Sequence, residues 1–275
     1  MEGHRESEPS GLLLDVRGAS VRFAGISALE DVTIRAHGGE VVGVIGPNGA
    51  GKTTLFNVIC GFVRPQAGTI SWRGERLAAV KPHRLSGLGI ARTLQGVGLF
   101  EGLSALENVM VGAHRFRRAG FATALFALRR SERDERALRE RATDAMRRLG
   151  CEELADRMPS SLTYAARKRV ALARALVGAP DLLLLDEPAG GLDAGELERL
   201  AALVGELRGS MAVMLVDHHM DFVTSVCDRL VALDFGRVIA SGAPDAVRRD
   251  PRVLEAYLGD EAPAEGAGGG GGRDG

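Results

Sequence analysis

Apolar residues along this chain fall in short runs of differing period, and each run predicts an element. Leu12 to Phe23 and Val32 to Arg35 read as short strands with turn chemistry between them. Val41-Val42-Gly43-Val44-Ile45 is an uninterrupted apolar run, the pattern of a buried strand. Thr54-Leu55-Phe56-Asn57-Val58-Ile59 reads as the start of a helix. Gly61 to Gly68 is a turn-rich link to a strand over Thr69 to Trp72. Gly89 to Gln95 leads into a loop at Gly96-Val97-Gly98. Ser104, with Glu107 three residues on, makes a capping box and predicts a helix over Ala105 to Gly112.

Residues 114–150 change character, with eleven arginines against five acidic residues. Leu138, Ala142, Ala145, Met146 and Leu149 recur at helical spacing, which predicts an amphipathic surface helix with a solvated arginine face. Contact of that face with lipid headgroups or a partner is the alternative. From Ser161 the pattern runs helix, strand, helix, strand, helix and two short strands. Leu182 to Asp186 and Met211 to Val216 are apolar runs typical of central parallel strands. Residues 1–10 are polar, and residues 260–275 hold seven glycines and few apolar groups, so both ends read as disordered. No internal repeat is visible.

Composition narrows the class. The 275 residues suffice for a substantial core, and aromatics make up only 4%, which suits an α/β protein with a parallel sheet. The net charge of −1 gives no global electrostatic case for nucleic acid. Cys60, Cys151 and Cys227 have no metal-site spacing and suggest no disulfide framework, in keeping with a reducing cytosol. The first residues lack a signal-peptide core, and no apolar run approaches the roughly 20 residues needed to span a bilayer. Work at a membrane would therefore require docking onto another chain.

The candidate chemistry starts at Gly46-Pro47-Asn48-Gly49-Ala50-Gly51-Lys52-Thr53, which fits the phosphate-binding pattern G-x-x-x-x-G-K-[ST] between a strand and a helix. Glycines there let successive N–H groups turn onto an anion, and the helix N-terminus adds partial positive charge. Lys52 would reach the β/γ-phosphates and the Thr53 hydroxyl would sit on Mg²⁺. Leu182 to Asp186 delivers two acids, Asp186 and Glu187, to the sheet edge where such a loop lies. Asp186 would hold the metal, and Glu187 would polarise the attacking water.

These motifs resemble ATP-binding cassette (ABC) ATPases. Asp186-Glu187-Pro188 and Gly191-Leu192-Asp193 look like the family's Walker B and D-loop. The resemblance implies that Gln95 is the Q-loop glutamine near metal and water. It implies that His218 is the switch histidine near the γ-phosphate, with adjacent His219 a surface residue. Phe23 would stack on adenine, and Thr54 joins residues 46–53 in binding nucleotide. The implied fold is that of a P-loop NTPase, with a mostly parallel central sheet, an N-terminal antiparallel β subdomain and a helical subdomain at about 96–178 inside a domain spanning 11–259. Leu55-Phe56-Asn57, Arg92-Thr93-Leu94-Gln95, Leu106-Glu107-Asn108-Val109 and the ending Asp250 to Gly259 are similar to the larger ATPase of branched-chain amino acid importers. That implies ATP and Mg²⁺, two membrane permease subunits, a second ABC ATPase, and indirectly an extracytoplasmic solute-binding protein. The chain would sit peripherally on the cytoplasmic face of the membrane. A regulatory ATP-binding subunit and a soluble ABC ATPase are the alternatives.

One motif departs from the family. The signature loop, roughly Leu-Ser-Gly-Gly-Gln or Leu-Ala-Tyr-Gly-Gln, is here Leu162-Thr163-Tyr164-Ala165-Ala166. In the family this loop caps the nucleotide held by a partner ATPase. The change therefore burdens the partner's site and leaves this chain's own residues complete.

Overall fold

The computed structural model describes residues 10–77, 80–93, 97–113 and 128–260. Gln95, Gly96, residues 1–9 and residues 261–275 lie outside the described residues, as does the 114–127 part of the arginine-rich stretch.

Strands β1 (Ser10–Phe23) and β2 (Ile26–Gly38) form an antiparallel hairpin. The turn residues Ala24 and Gly25 both have positive φ, 45° and 89°, as a twist-matched two-residue turn requires. β2 is far longer than Val32 to Arg35. Its buried and exposed residues alternate cleanly only from Asp31 to Ala36. Before that, irregular pairing between Ala19↔Val32 and Val21↔Leu29 breaks the period that a sequence pattern needs. After β3 (Val41–Ile45) comes α1 (Lys52–Ile59), which begins two residues before Thr54 because Gly51, at φ 103°, serves as its N-cap. β4 (Ala67–Trp72) and β5 (Glu75–Arg76) complete the first sheet, in the order β2-β1-β4-β5.

The second sheet, which β3 opens, resumes after β5. α2 (Leu85–Leu88) leads into β6 (Ile90–Arg92), followed by α3 (Ala105–Gly112), α4 (Leu128–Arg148) and α5 (Tyr164–Leu176). Ser104 and Glu107 make both bonds of the capping box on α3. β7 (Leu182–Asp186), α6 (Ala194–Leu207), β8 (Ala212–Val216), α7 (Met220–Val226), β9 (Arg229–Asp234) and β10 (Arg237–Gly242) follow. The chain then continues into α8 (Pro244–Arg248) and α9 (Pro251–Asp260). Ser10 thus belongs to β1 and Asp260 to α9, rather than to the terminal segments. The order of the described strands is β10-β9-β3-β8-β7-β6, parallel from β9 to β6 with β10 antiparallel at the edge.

Alternate residues of the parallel strands feed two cores, as a period of two requires. Val42, Val44, Leu182 and Leu184 face α1 and the first sheet, where Leu55, Phe56 and Ile59 are buried beside Leu14 and Val16. Val41, Ile45, Leu183 and Leu185 face α6 and α7. A third core joins α3, α4 and α5 through Leu106, Val109, Ala142, Met146, Val170 and Ala173. The helix read from residues 138–149 therefore exists, and Ala142 and Met146 are its fully buried residues. Cys60, Cys151 and Cys227 are buried free thiols, and desolvation pushes the Cys227 pKa up to about 12. Among the described residues no helix is long and apolar enough to cross a membrane.

Candidate functional site

Parallel pairing places the C-terminal ends of β3, β8, β7 and β6 on one edge of the sheet. The Gly46–Lys52 loop, Asp217-His218, Asp186-Glu187 and Arg92-Thr93 all emerge there. Lys52 and the acidic pair therefore share an edge. No single segment could bring them together, because about 130 residues separate them.

The loop after β3 is shaped by glycine. Gly46, Gly49 and Gly51 have φ of 147°, 77° and 103°. A Cβ on Gly46 would lie 2.1 Å from the Leu233 carbonyl oxygen, and one on Gly51 would lie 2.5 Å from that of Ala28. Lys52 Nζ folds back across the loop and donates to the carbonyls of Gly46 and Pro47, each at 2.7 Å. Ala50 N–H donates to Pro47 O at 3.2 Å and closes the turn around Asn48. α1 opens with no acidic residue in its first turn and no side-chain cap. The opening N–H groups of a helix have no intrahelical acceptor, so such an uncapped start suits an anion. Thr53 is exposed and Thr54 half-buried at this start. Gly46→Ala should therefore destabilise the protein by about 1–3 kcal/mol through overpacking against backbone. Chemical unfolding of the two purified proteins checks this.

Across the edge, Asp186 is buried, and its Oδ2 accepts from Arg92 Nη2 at 2.7 Å, with both side chains under a tenth exposed. Arg92 Nη1 donates to Asn57 Oδ1 of α1 at 2.8 Å, and its guanidinium lies 5.7 Å from the Phe56 ring centre. Arg92 thus ties the acid of β7 to the helix of the phosphate loop. An ionised carboxylate has about four lone-pair sites, so this pairing does not exhaust Asp186 as a metal ligand.

Glu187 has φ 49°, left-handed backbone that costs a non-glycine residue roughly 1–3 kcal/mol. Two contacts hold it there. Its N–H donates to Val216 O of β8 at 2.8 Å, and its carbonyl accepts from Lys168 Nζ of α5 at 3.1 Å. Lys168 donates also to Pro188 O at 2.9 Å and to Gly190 O. Burial lowers the pKa of this ammonium, against the opposing pull of the Asp217 and Glu187 carboxylates.

Asp217 is the hub of the β8 end. Its Oδ1 accepts from the N–H groups of His218 and His219 at 2.8 and 3.0 Å, and its Oδ2 accepts from Ala189 N–H at 2.8 Å. His219 Nδ1 lies 2.8 Å from Asp217 Oδ1, which holds this partly exposed ring against the strand end. The His218 side chain is 61% exposed at the same edge. Phe23 ends β1, half exposed, beside the exposed Ile26. Tyr257 of α9 also reaches the site, where its hydroxyl accepts from Gly46 N–H at 2.8 Å.

The altered loop before α5 is ordered by its own cap, since Thr163 Oγ1 accepts from Ala166 N–H at 3.3 Å. Ala166 is buried in the helical core, so the missing glutamine is replaced by apolar packing. The Tyr164 ring lies against Gly191, where a Cβ would come within 2.9 Å of it.

Sequence reasoning assigned nothing to Arg92, Lys168, Asp217 or Tyr257. Lys168 carried one signal: it is among only three lysines in a chain with 35 Lys and Arg together. Arg92 and Tyr257 gave none, because their partners lie far along the chain, and Asp217 meets its neighbours His218 and His219 but reaches Ala189 only through the fold.

These groups fit a nucleoside triphosphate with its divalent metal. The loop is one that a Cβ would fill, the Lys52 ammonium folds back across it, and Thr53, Asp186 and Glu187 at the same sheet edge carry the oxygen donors that hard cations prefer. The family model described as "ABC transporter" matches residues 29–190, and that described as "Branched-chain amino acid ATP-binding cassette transporter" matches residues 237–263. The high-affinity branched-chain amino acid transport ATP-binding protein BraF of Pseudomonas aeruginosa is 37% identical over 250 residues, covering 90% of this chain and 98% of the relative. The corresponding LivG protein of Escherichia coli is 36% identical over the same span and coverage. A nucleotide-free ATP-binding cassette from an ABC transporter superposes with a TM-score of 0.77 at 28% identity, covering 90% of this chain and 99% of that one. Motif geometry, family models and full-length relatives agree, and the chain belongs to the ATP-binding cassette transporter family as an ATPase.

Proposed function

We propose that this chain is the ATP-hydrolysing subunit of an importer for branched-chain amino acids or related small polar solutes. The observation that carries the reading is the convergence of Lys52, Asp186 and Glu187 on one sheet edge. The match of the last helices to the branched-chain family model, and the names of the relatives, supply the substrate class.

In this reading Lys52 and the loop N–H groups bind the phosphates, Phe23 stacks on adenine, and Thr53 with Asp186 holds Mg²⁺, approached by Gln95. When bound, such a metal would supply charge neutralisation at the γ-phosphate. Glu187 accepts the proton of the attacking water, and His218 sits beside the γ-phosphate. The helical segment at about 96–178 faces two permease subunits. A groove of about 310 Å³ lined by Gly98, Phe100, Val111 and Arg174 offers them exposed apolar side chains. The chain then works peripherally at the cytoplasmic face of the membrane, beside a second ATPase, and meets the external solute-binding protein only indirectly. Because Ala165 and Ala166 alter the loop that serves the partner's nucleotide, the two hydrolytic sites are unequal.

Lys52→Ala tests the core of this. Hydrogen bonds to charged groups contribute about 1.5–3 kcal/mol, so ATP affinity should fall roughly 10- to 100-fold and uptake of labelled leucine should cease. Tagged wild-type chain drawn from solubilised membranes should bring two polytopic proteins and a second ATPase with it. Recovery with ribosomes or DNA and no membrane subunit would refute the assignment.

A further inference from the structure

Lys168 sits on α5, six residues after the altered signature loop begins at Leu162, and meets Glu187 through the backbone carbonyl. Its ammonium meets the carbonyls of Glu187, Pro188 and Gly190, three acceptors for three N–H donors. An arginine, planar and forked, could reach only some of these acceptors at once. The turn it grips carries Glu187 in left-handed backbone, a conformation that persists only where surroundings enforce it. A cavity of about 370 Å³, lined by Lys168, Glu187, Pro188, Leu172 and Leu203, separates α5 from α6 at this level. Ala189 of the turn packs into the core that α5 shares, and the Lys168 bridge adds the polar contacts beside this open space. Tyr164 braces the same turn from the loop side, with its ring against Gly191 and under the Lys168 ammonium at 5.1 Å.

We propose that Lys168 is the positioning residue for Glu187: from the signature helix it clamps the Glu187–Gly190 turn and so aims the carboxylate. The base of this chain's own site is then tied mechanically to the loop that serves the neighbouring site. The inference rests on Glu187 being the base for hydrolysis.

The test uses the assembled transporter, with Lys168→Met, Lys168→Arg, Glu187→Gln and the Lys168→Met/Glu187→Gln double variant. A misplacement of about 1 Å can cost on the order of 10²-fold, so Lys168→Met should lower kcat at least about tenfold. KM and the affinity for a fluorescent ATP analogue should stay within about twofold, and Lys168→Arg should recover part of the rate. Because Lys168 acts through the carboxylate, the double variant should be no slower than Glu187→Gln alone. An unchanged kcat in Lys168→Met, a loss that follows nucleotide affinity, or multiplied losses in the double variant would overturn the proposal. Wild-type turnover in Glu187→Gln would instead remove the reading beneath it.

Discussion

Glu187→Gln should lower ATP turnover by about 10²–10⁴-fold, the usual contribution of a positioned general base, while ATP binding stays intact. The amide is nearly isosteric and keeps the backbone N–H to Val216 and the carbonyl to Lys168, so the turn is preserved. What it loses is the ability to accept a proton from water. Single-turnover hydrolysis with measured nucleotide affinity reads both quantities. A drop below tenfold with binding unchanged would shift the base to another group, of which His218 is the exposed candidate at that edge. The same experiment addresses the altered signature loop. If the sites are unequal, Glu187→Gln and the equivalent variant in the second ATPase will inhibit transport unequally. Equal inhibition counts against asymmetry.

Arg92→Met should be the most damaging substitution for stability. It removes one partner from a buried ion pair and leaves the Asp186 carboxylate in the core without its guanidinium. Such a loss costs about 3–5 kcal/mol. For a domain of this size that corresponds to a fall in Tm on the order of 10 °C. The Asn57 bond to α1 disappears with it, so the phosphate-loop helix loses an anchor to β7. Adding Asp186→Asn removes the stranded charge and should restore part of the Tm. A single variant as stable as wild type would show that Asp186 finds other compensation.

The strands and the site loop were legible early because their signals are local. Val41 to Ile45 and Leu182 to Asp186 are unbroken apolar runs, and each becomes a strand with those limits. The Ser104–Glu107 capping box is two side-chain bonds three residues apart, fully specified by spacing. β2 was under-read because its bulge interrupts the alternation before Asp31. Arg92, Lys168 and Tyr257 went unassigned because the atoms they meet belong to other segments of the chain, and the bond of Asp217 to Ala189 likewise comes only with the fold. Gly46 to Tyr257 spans 211 residues, and no window of sequence contains both.

The sequence by itself determined the phosphate loop, the acids that end β7 and the α/β class, since each depends on residue type and short spacing. Only the tertiary structure decided that β3, β7 and β8 run parallel in neighbouring order, so that Lys52, Glu187 and His218 share an edge. It alone gave Asp186 an arginine and Glu187 a lysine for neighbours. The physical reason is range: backbone propensity and capping act over a few residues, whereas charge pairing and strand order are fixed by packing between segments separated along the chain, by 19 residues for Lys168 and Glu187 and by 94 for Arg92 and Asp186.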